Sequence, residues 1–173
     1  MKKKGILQLV FFAIALLLVS PAIAQNESVV TLSGNAYITS GQTAFIDEDH
    51  SAIRNWNDKE TVISFYFRTN GSGQMKIALQ AKGKSQIEVS LLGKKKKVRL
   101  DSDFPVRVEV GTFKVKNPGY VKMDIRGVKI NKGESFGNIE SVAVGGDVAP
   151  VVCVSPEFSA HFGRRGPSVH LGY

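Results

Sequence analysis

The stretch TVISFYFRT, residues 61–69, decides the fold class because its apolar side chains recur at every second position. The two alternating sets are Ile63, Phe65 and Phe67 on one side, and Ser64, Tyr66 and Arg68 on the other. A period of two predicts a strand with one buried and one solvated face. The next residues, NGSG at 70–73, predict a turn because Asn and Gly tolerate positive φ.

The same alternation continues through most of residues 28–145. It is present in QMKIALQA (74–81), QIEVSLL (86–92), VRVEVGTF (106–113) and YVKMDIRGV (120–128). With VVTL and AYIT, this predicts eight or nine short strands separated by turns, and no helix of useful length. A slip in the alternation between Ile139 and Val142 predicts a β-bulge. Sheets with one apolar face must pack in pairs, so we predict an all-β, antiparallel, jelly-roll-like β-sandwich.

The first 24 residues have the pattern of a signal peptide. Three lysines (residues 2–4) precede an uninterrupted apolar run from Leu9 to Val19, and Ala22-Ile23-Ala24 offers a small-x-small cleavage site. The apolar run is shorter than the roughly 18 residues that a membrane span needs. A retained anchor is the alternative. We expect cleavage after Ala24 and export to the periplasm or beyond, without a lipid anchor, because no Cys follows the cut.

Charge and cysteine content narrow the function classes. Removing the leader, with its three Lys and no acid, lowers the formal charge from +8 to +5. The positive charge is widely spread and export makes nucleic acid an unavailable partner, so we expect no nucleic-acid binding. We also expect no membrane attachment after cleavage. The single Cys153 forms no internal disulfide, so stability must come from burial.

The alternation ends near Gly146, and we therefore predict a sandwich domain over residues 25–146. Residues 147–173 are predicted to be a linker and the start of a further domain, with only 151–154 able to form a short strand. The tail contains His161, Arg164, Arg165 and His170. Without a folded domain beneath them, these residues are expected to be disordered or at most adhesive.

Several segments together resemble a known group of exported bacterial proteins. They are LSGNAYIT (32–39), NW (55–56), ISFYFRT (63–69), GTFKVKNPGYVKMDIRGV (111–128) and GRRGPSVHLGY (163–173). These proteins join two domains of unknown function, families five thousand and seventy-seven and three thousand four hundred and seventy-two. The resemblance implies a first domain similar to jelly-roll carbohydrate-binding modules, and a second domain that is missing here. Phe162 departs from the Trp expected in relatives.

Sugar binding on a sandwich needs an exposed aromatic ring and planar polar side chains for the hydroxyls. The ligand-binding residues we select are Trp56, Tyr66, Arg68 and Asn55; Tyr37, Tyr120 and Asn57 are further candidates. Trp56 ranks first because it lies in a polar loop, IRNWNDKE (53–60). The alternative is that Trp56 folds back and caps one end of the sandwich. Tyr66 is equally suited to a half-buried strand position.

Metal binding and catalysis have weaker signals. DEDH (47–50) concentrates oxygen ligands but lacks a spaced calcium-loop pattern, so a solvated acidic turn is favoured over a metal site. Lys94–Lys97 is interpreted as a hairpin whose lysines stay in water and discourage edge pairing, rather than as a polyanion site. His50 is the sole candidate base within the sandwich, and no nucleophile motif or carboxylate pair accompanies it. We therefore expect no catalytic residues, no metal and no cofactor.

Two main hypotheses follow. The first is an exported, non-catalytic module that binds carbohydrate and is the accessory half of a truncated two-domain protein. The second is a structural domain that packs against the missing C-terminal domain, which predicts an exposed apolar patch beside residues 151–162. An enzyme in its own right is a third and less favoured hypothesis.

Overall fold

A computed structural model describes residues 26–155 of the chain. Within this range it contains ten strands and no helix. The strands are β1 (Ser28–Thr31), β2 (Ala36–Ser40), β3 (Phe45–Ile46), β4 (Ile53–Arg54), β5 (Val62–Thr69), β6 (Gly73–Leu91), β7 (Lys94–Val115), β8 (Gly119–Lys129), β9 (Asn138–Gly146) and β10 (Val151–Val152). No helix in these residues is long and apolar enough to cross a membrane.

The strands form two antiparallel layers that share β6 and β7. The first layer is β1, β9, the first half of β6 and the second half of β7. In the second layer, β2 and β10 pair with β5, which is followed by β8, the second half of β6 and the first half of β7. A separate two-stranded sheet joins β3 to β4. The predicted all-β, jelly-roll-like sandwich is confirmed.

The length of β6 and β7 differs from the sequence prediction. The sequence predicts two short strands on either side of Gly83, but β6 runs through this segment for 19 residues, and its partner β7 is 22 residues long. The register shifts between Ala81 and Gly83, and Gly83 has φ of 147°. A side chain there would also meet the backbone of Gly137 at 2.9 Å. Glycine therefore permits a bulge that bends the strand from one layer to the other instead of ending it.

The core lies between the layers, on the side predicted by the alternation. Ile63 and Phe65 of β5 have no exposed surface, and they share the core with Ile77 of β6 and Val142 of β9. The predicted bulge in the last long strand is confirmed. Ser141 pairs with Gln80 and Ile139 with Ala81, so Glu140 is the extra residue.

The domain extends past the predicted boundary at Gly146. Val148 and Val151 are buried in the core, and β10 pairs with β5. Asn35 holds the chain beyond β10: its Oδ1 accepts a 2.7 Å hydrogen bond from the Val154 N–H, and its Nδ2 donates to the Val154 carbonyl at 3.0 Å. Local alternation cannot predict this extension, because these partners are distant in sequence. The leader and the basic tail, with Phe162, lie outside the described residues.

Candidate functional site

The outer surface of the second layer carries three tyrosines. Tyr37 lies on β2, Tyr66 on β5 and Tyr120 on β8, and their exposed fractions are 52%, 38% and 88%. Each occupies the solvent side because its strand neighbours alternate into the core. We call this surface, together with Arg68 and Lys122, the tyrosine face.

Tyr37 and Tyr66 contact each other on this face. Their ring centroids are 5.9 Å apart and the planes meet at 66°, an edge-to-face arrangement. The Tyr37 hydroxyl also donates to the Gly34 carbonyl at 3.2 Å. These contacts hold two aromatic surfaces in a fixed relation while both stay open to solvent.

Charged side chains adjoin the tyrosines through strand pairing. Arg68 of β5 lies opposite Tyr120 of β8, and Lys122 of β8 lies opposite Tyr66. Cross-strand neighbours have Cβ atoms about 5 Å apart, so Tyr66 and Tyr120 each have a cationic residue beside them. Planar guanidinium and ammonium donors next to aromatic rings suit a ligand with both hydroxyl groups and apolar C–H surface.

Next to the tyrosines, a row of polar side chains on β2, β5 and β8 is connected by hydrogen bonds and an ion pair. Thr39 Oγ1 and Ser64 Oγ are 2.6 Å apart, and the Ser64 hydroxyl donates to Asp124 Oδ1 at 2.6 Å. Lys122 Nζ lies 3.1 Å from the same carboxylate oxygen. This row holds the Lys122 side chain, and the register pairs Lys122 with Tyr66. Sequence reasoning missed Lys122 and Asp124, since only the register of β5 on β8 places them beside the tyrosines.

Trp56, the first-ranked sugar-binding candidate, is completely buried. Its ring packs against Phe136 with centroids 5.4 Å apart and an interplanar angle of 41°. The indole Nε1–H has no hydrogen-bond partner among the described residues. A ring without exposed surface cannot stack on a sugar, so this position corrects the expectation of a binding role. Burial matches the alternative in which Trp56 folds back into the sandwich.

Asn55 is exposed but lies in a different group of contacts. It has φ of 54°, and its carbonyl accepts hydrogen bonds from the Thr43 hydroxyl at 3.3 Å and the Asn57 N–H at 3.0 Å. No described contact joins it to Tyr66 or Arg68. Of the four selected residues, the structure brings only Tyr66 and Arg68 together on one surface.

In the acidic turn at residues 47–50, the Asp47 carboxylate is hydrogen-bonded to neighbouring residues of the chain. Asp47 accepts hydrogen bonds from the N–H groups of Ser51 and Ala52 at 2.9 and 2.8 Å, and Arg54 lies 3.1 Å away. Burial raises the pKa of Asp47, but these donors outweigh it and leave the pKa below its ordinary value. No group of three or more His, Cys, Asp or Glu able to hold a metal ion occurs in the described part of the chain.

The comparisons with known proteins bear on family and fold. A family model described as "Domain of unknown function (DUF5077)" matches residues 30–149. The chain belongs to this family. The match covers the sandwich just described, and no curated protein matches the DUF5077 chain significantly.

Solved structures similar to this DUF5077 domain include three with TM-scores above 0.5. The CBM35 of Cellvibrio japonicus Abf62 has a TM-score of 0.54 at 12% identity, covering 75% of this chain and 98% of that one. The CBM36-1 domain of a multidomain xylanase from the hindgut metagenome of Trinervitermes trinervoides has a TM-score of 0.52 at 15% identity. That match covers 70% of this chain and 98% of the other. The GH26-CBM35 beta-(1,4)-mannanase of Podospora anserina has a TM-score of 0.53 at 12% identity. The match covers 70% of this chain but only 28% of the mannanase. At these identities the likeness shows the fold alone.

Proposed function

We propose that this DUF5077 chain is an exported, non-catalytic module that binds carbohydrate through the tyrosine face. The observation that carries the proposal is the exposed Tyr37–Tyr66 pair, with Arg68 on the same strand as Tyr66 and Tyr120 opposite Arg68 on β8. The leader pattern of residues 1–24 supports export. The accessory role beside a second domain rests on the resemblance of residues 163–173.

The chemistry of the face matches a pyranose ring. Tyrosine offers an apolar ring surface to the C–H groups of a sugar and a hydroxyl that exchanges hydrogen bonds with the sugar's own hydroxyls. Arg68 adds a planar set of N–H donors. The platform lies on three paired strands, so its side chains are positioned before a ligand arrives, and little ordering cost opposes binding.

The shared fold is a further support. A CBM35 and the CBM36-1 domain of a multidomain xylanase have a similar sandwich fold. Fold alone does not assign a ligand, so the proposal depends on the side chains of the tyrosine face.

The direct test is affinity electrophoresis of the full chain against a panel of plant, algal and bacterial polysaccharides. The double variant Tyr66→Ala/Tyr120→Ala is expected to lose about tenfold or more in affinity, because each ring contributes roughly 1 kcal/mol. The matched control is Phe45→Ala/Phe104→Ala, which removes two exposed aromatic rings outside the tyrosine face. Absence of binding across the panel, or equal losses in both double variants, would refute the proposal.

One observation favours the structural alternative. Val29, Val152 and Val154 have exposed fractions of 57%, 52% and 40%. The Val151 N–H joins their segments by donating to Ser28 Oγ at 3.0 Å. An apolar surface there suits packing against a second domain. Sedimentation of the full chain tests this: self-association relieved by Val152→Ser would support it, and a robust monomer would argue against it.

A further inference from the structure

The outer surface of the second layer continues beyond the tyrosines into a region of positive charge. Arg126 lies four residues after Lys122 on β8, on the same side of the strand, and this separation is about 13 Å. The register then places Arg126 beside Glu88 of β6, and Glu88 beside Lys97 of β7. We call the surface formed by Lys97, Arg99, Arg126 and Lys129 the cationic face.

A groove lies at the far end of this face. Its volume is about 500 Å³, and its lining includes Lys84, Gln86, Arg99, Asp101 and Lys129. Gln86 of β6 pairs with both Lys129 of β8 and Arg99 of β7, so the two cations flank a neutral amide. The groove and the tyrosine face therefore occupy one continuous surface.

The acidic groups near this surface already have partners. Glu88 lies 3.1 Å from Lys95, Asp124 lies 3.1 Å from Lys122, and Asp101 lies 3.1 Å from Arg99. In contrast, Lys97, Arg126 and Lys129 have no carboxylate within 4 Å in residues 26–155. Their side chains are exposed and make no ion pair within the described residues, although Glu88 lies across the strands from both Lys97 and Arg126.

The opposite surface of the sandwich has a different charge arrangement. There Arg107 donates to both oxygens of Glu27 at 2.8 and 2.9 Å and to Glu109 at 2.7 Å. No tyrosine lies on the described strands of that layer. Among the described strands, exposed tyrosines and cations without an ion pair therefore occur together on the second layer.

From this coincidence we propose that the ligand is an acidic polysaccharide. The tyrosine face receives its sugar rings, and the cationic face receives its carboxylate or sulfate groups. The inference rests on the proposed function and names the ligand class for the same surface. Exposed cations attract a polyanion at long range, and the guanidinium group of Arg126 suits planar bidentate contacts to a carboxylate or a sulfate.

The test compares polygalacturonate with its highly methyl-esterified form, which has the same sugar backbone without most of the charge. The full chain is expected to bind the acidic form at least about tenfold more tightly, with affinity falling as salt is raised. Chondroitin sulfate and its desulfated form distinguish sulfate from carboxylate as the preferred group.

The decisive variant is Lys97→Gln/Arg126→Gln/Lys129→Gln. It is expected to lose about tenfold in affinity for polygalacturonate and to keep its affinity for the esterified form. The matched control, Lys59→Gln/Lys114→Gln/Lys116→Gln, removes the same charge from exposed positions elsewhere and should change affinity less than about twofold.

The outcomes separate the two proposals. Equal binding of acidic and esterified polymers would overturn the inference and leave carbohydrate binding intact, whereas no binding to any glycan would overturn both. Equal losses in the two triple variants would overturn the inference. Binding of double-stranded DNA or polyphosphate as tight as that of polygalacturonate would also overturn it, since the surface would then recognise polyanions in general.

Discussion

Two pairs of aromatic side chains in this domain differ in exposure: one pair is buried in the core and the other is open to solvent. Trp56 and Phe136 close over each other in the core, whereas Tyr37 and Tyr66 meet at a similar centroid distance on an open sheet. The first pair joins two loops distant in sequence, and the second joins neighbouring strands. The difference shows that an aromatic residue in a polar loop can be buried in the core, while an aromatic residue on a strand can be exposed to solvent.

The largest expected effect concerns the buried pair. Trp56→Ala should lower the free energy of unfolding by about 4 kcal/mol, because it removes a fully buried ring and leaves a cavity. Urea unfolding followed by circular dichroism measures this. A loss below about 1 kcal/mol would mean that Trp56 is not a core residue.

Trp56→Phe provides the matched control for that variant. It keeps an aromatic ring against Phe136 and removes the buried N–H, which has no described partner. The loss should be well under that of Trp56→Ala. If both variants lose the same stability, an unrecognised hydrogen bond of the indole must be contributing.

A smaller effect is expected where Phe136 meets β8. A side chain at Gly127 would overlap the Phe136 ring, so Gly127→Ala should cost about 2 kcal/mol by overpacking. Gly145→Ala is the control, since its Cβ would meet only Glu27 at an ordinary 3.8 Å. Thermal unfolding of both variants checks this. Equal melting temperatures would show that the Trp56–Phe136 cluster is looser than described.

The sequence predicted the strand-level features because they depend on local alternation. The buried set of β5, the outward position of Tyr66 and Arg68, and the bulge at Glu140 all follow from a period of two. It could not predict features that depend on contacts across the fold. Trp56 is buried by packing against Phe136, and Val154 is held by hydrogen bonds to Asn35. Lys122 lies beside Tyr66 only because of the β5–β8 register.

The smallest predicted effect is a pH dependence of the loop that leads from Trp56 into β5. Hydrogen bonds from the Thr43 hydroxyl at 2.5 Å and from Thr61 hold the pKa of Asp58 below its ordinary value of 3.8. A lowered folded-state pKa stabilises the protein above the unfolded pKa, and this contribution is lost as the pH falls through the folded-state pKa.

Asp58→Asn tests that contribution. The wild-type chain should be the more stable of the two at about pH 6, and the difference should shrink as the solution is acidified towards about pH 2. Glu60→Gln is the control, because Glu60 is exposed and its side chain makes no hydrogen bond or ion pair among residues 26–155. A wild-type advantage that stays constant with pH would contradict the role given to the ionised carboxylate of Asp58.

We propose that glycans bind the exposed Tyr37–Tyr66 pair and not the buried Trp56–Phe136 pair. NMR of the aromatic signals during a polysaccharide titration tests this. The chain has a single Trp, so one indole N–H signal reports on Trp56. If glycans bind the tyrosine face, the ring signals of Tyr37, Tyr66 and Tyr120 shift with ligand while the indole signal stays in place. A shift of the indole signal with unmoved tyrosines would contradict it.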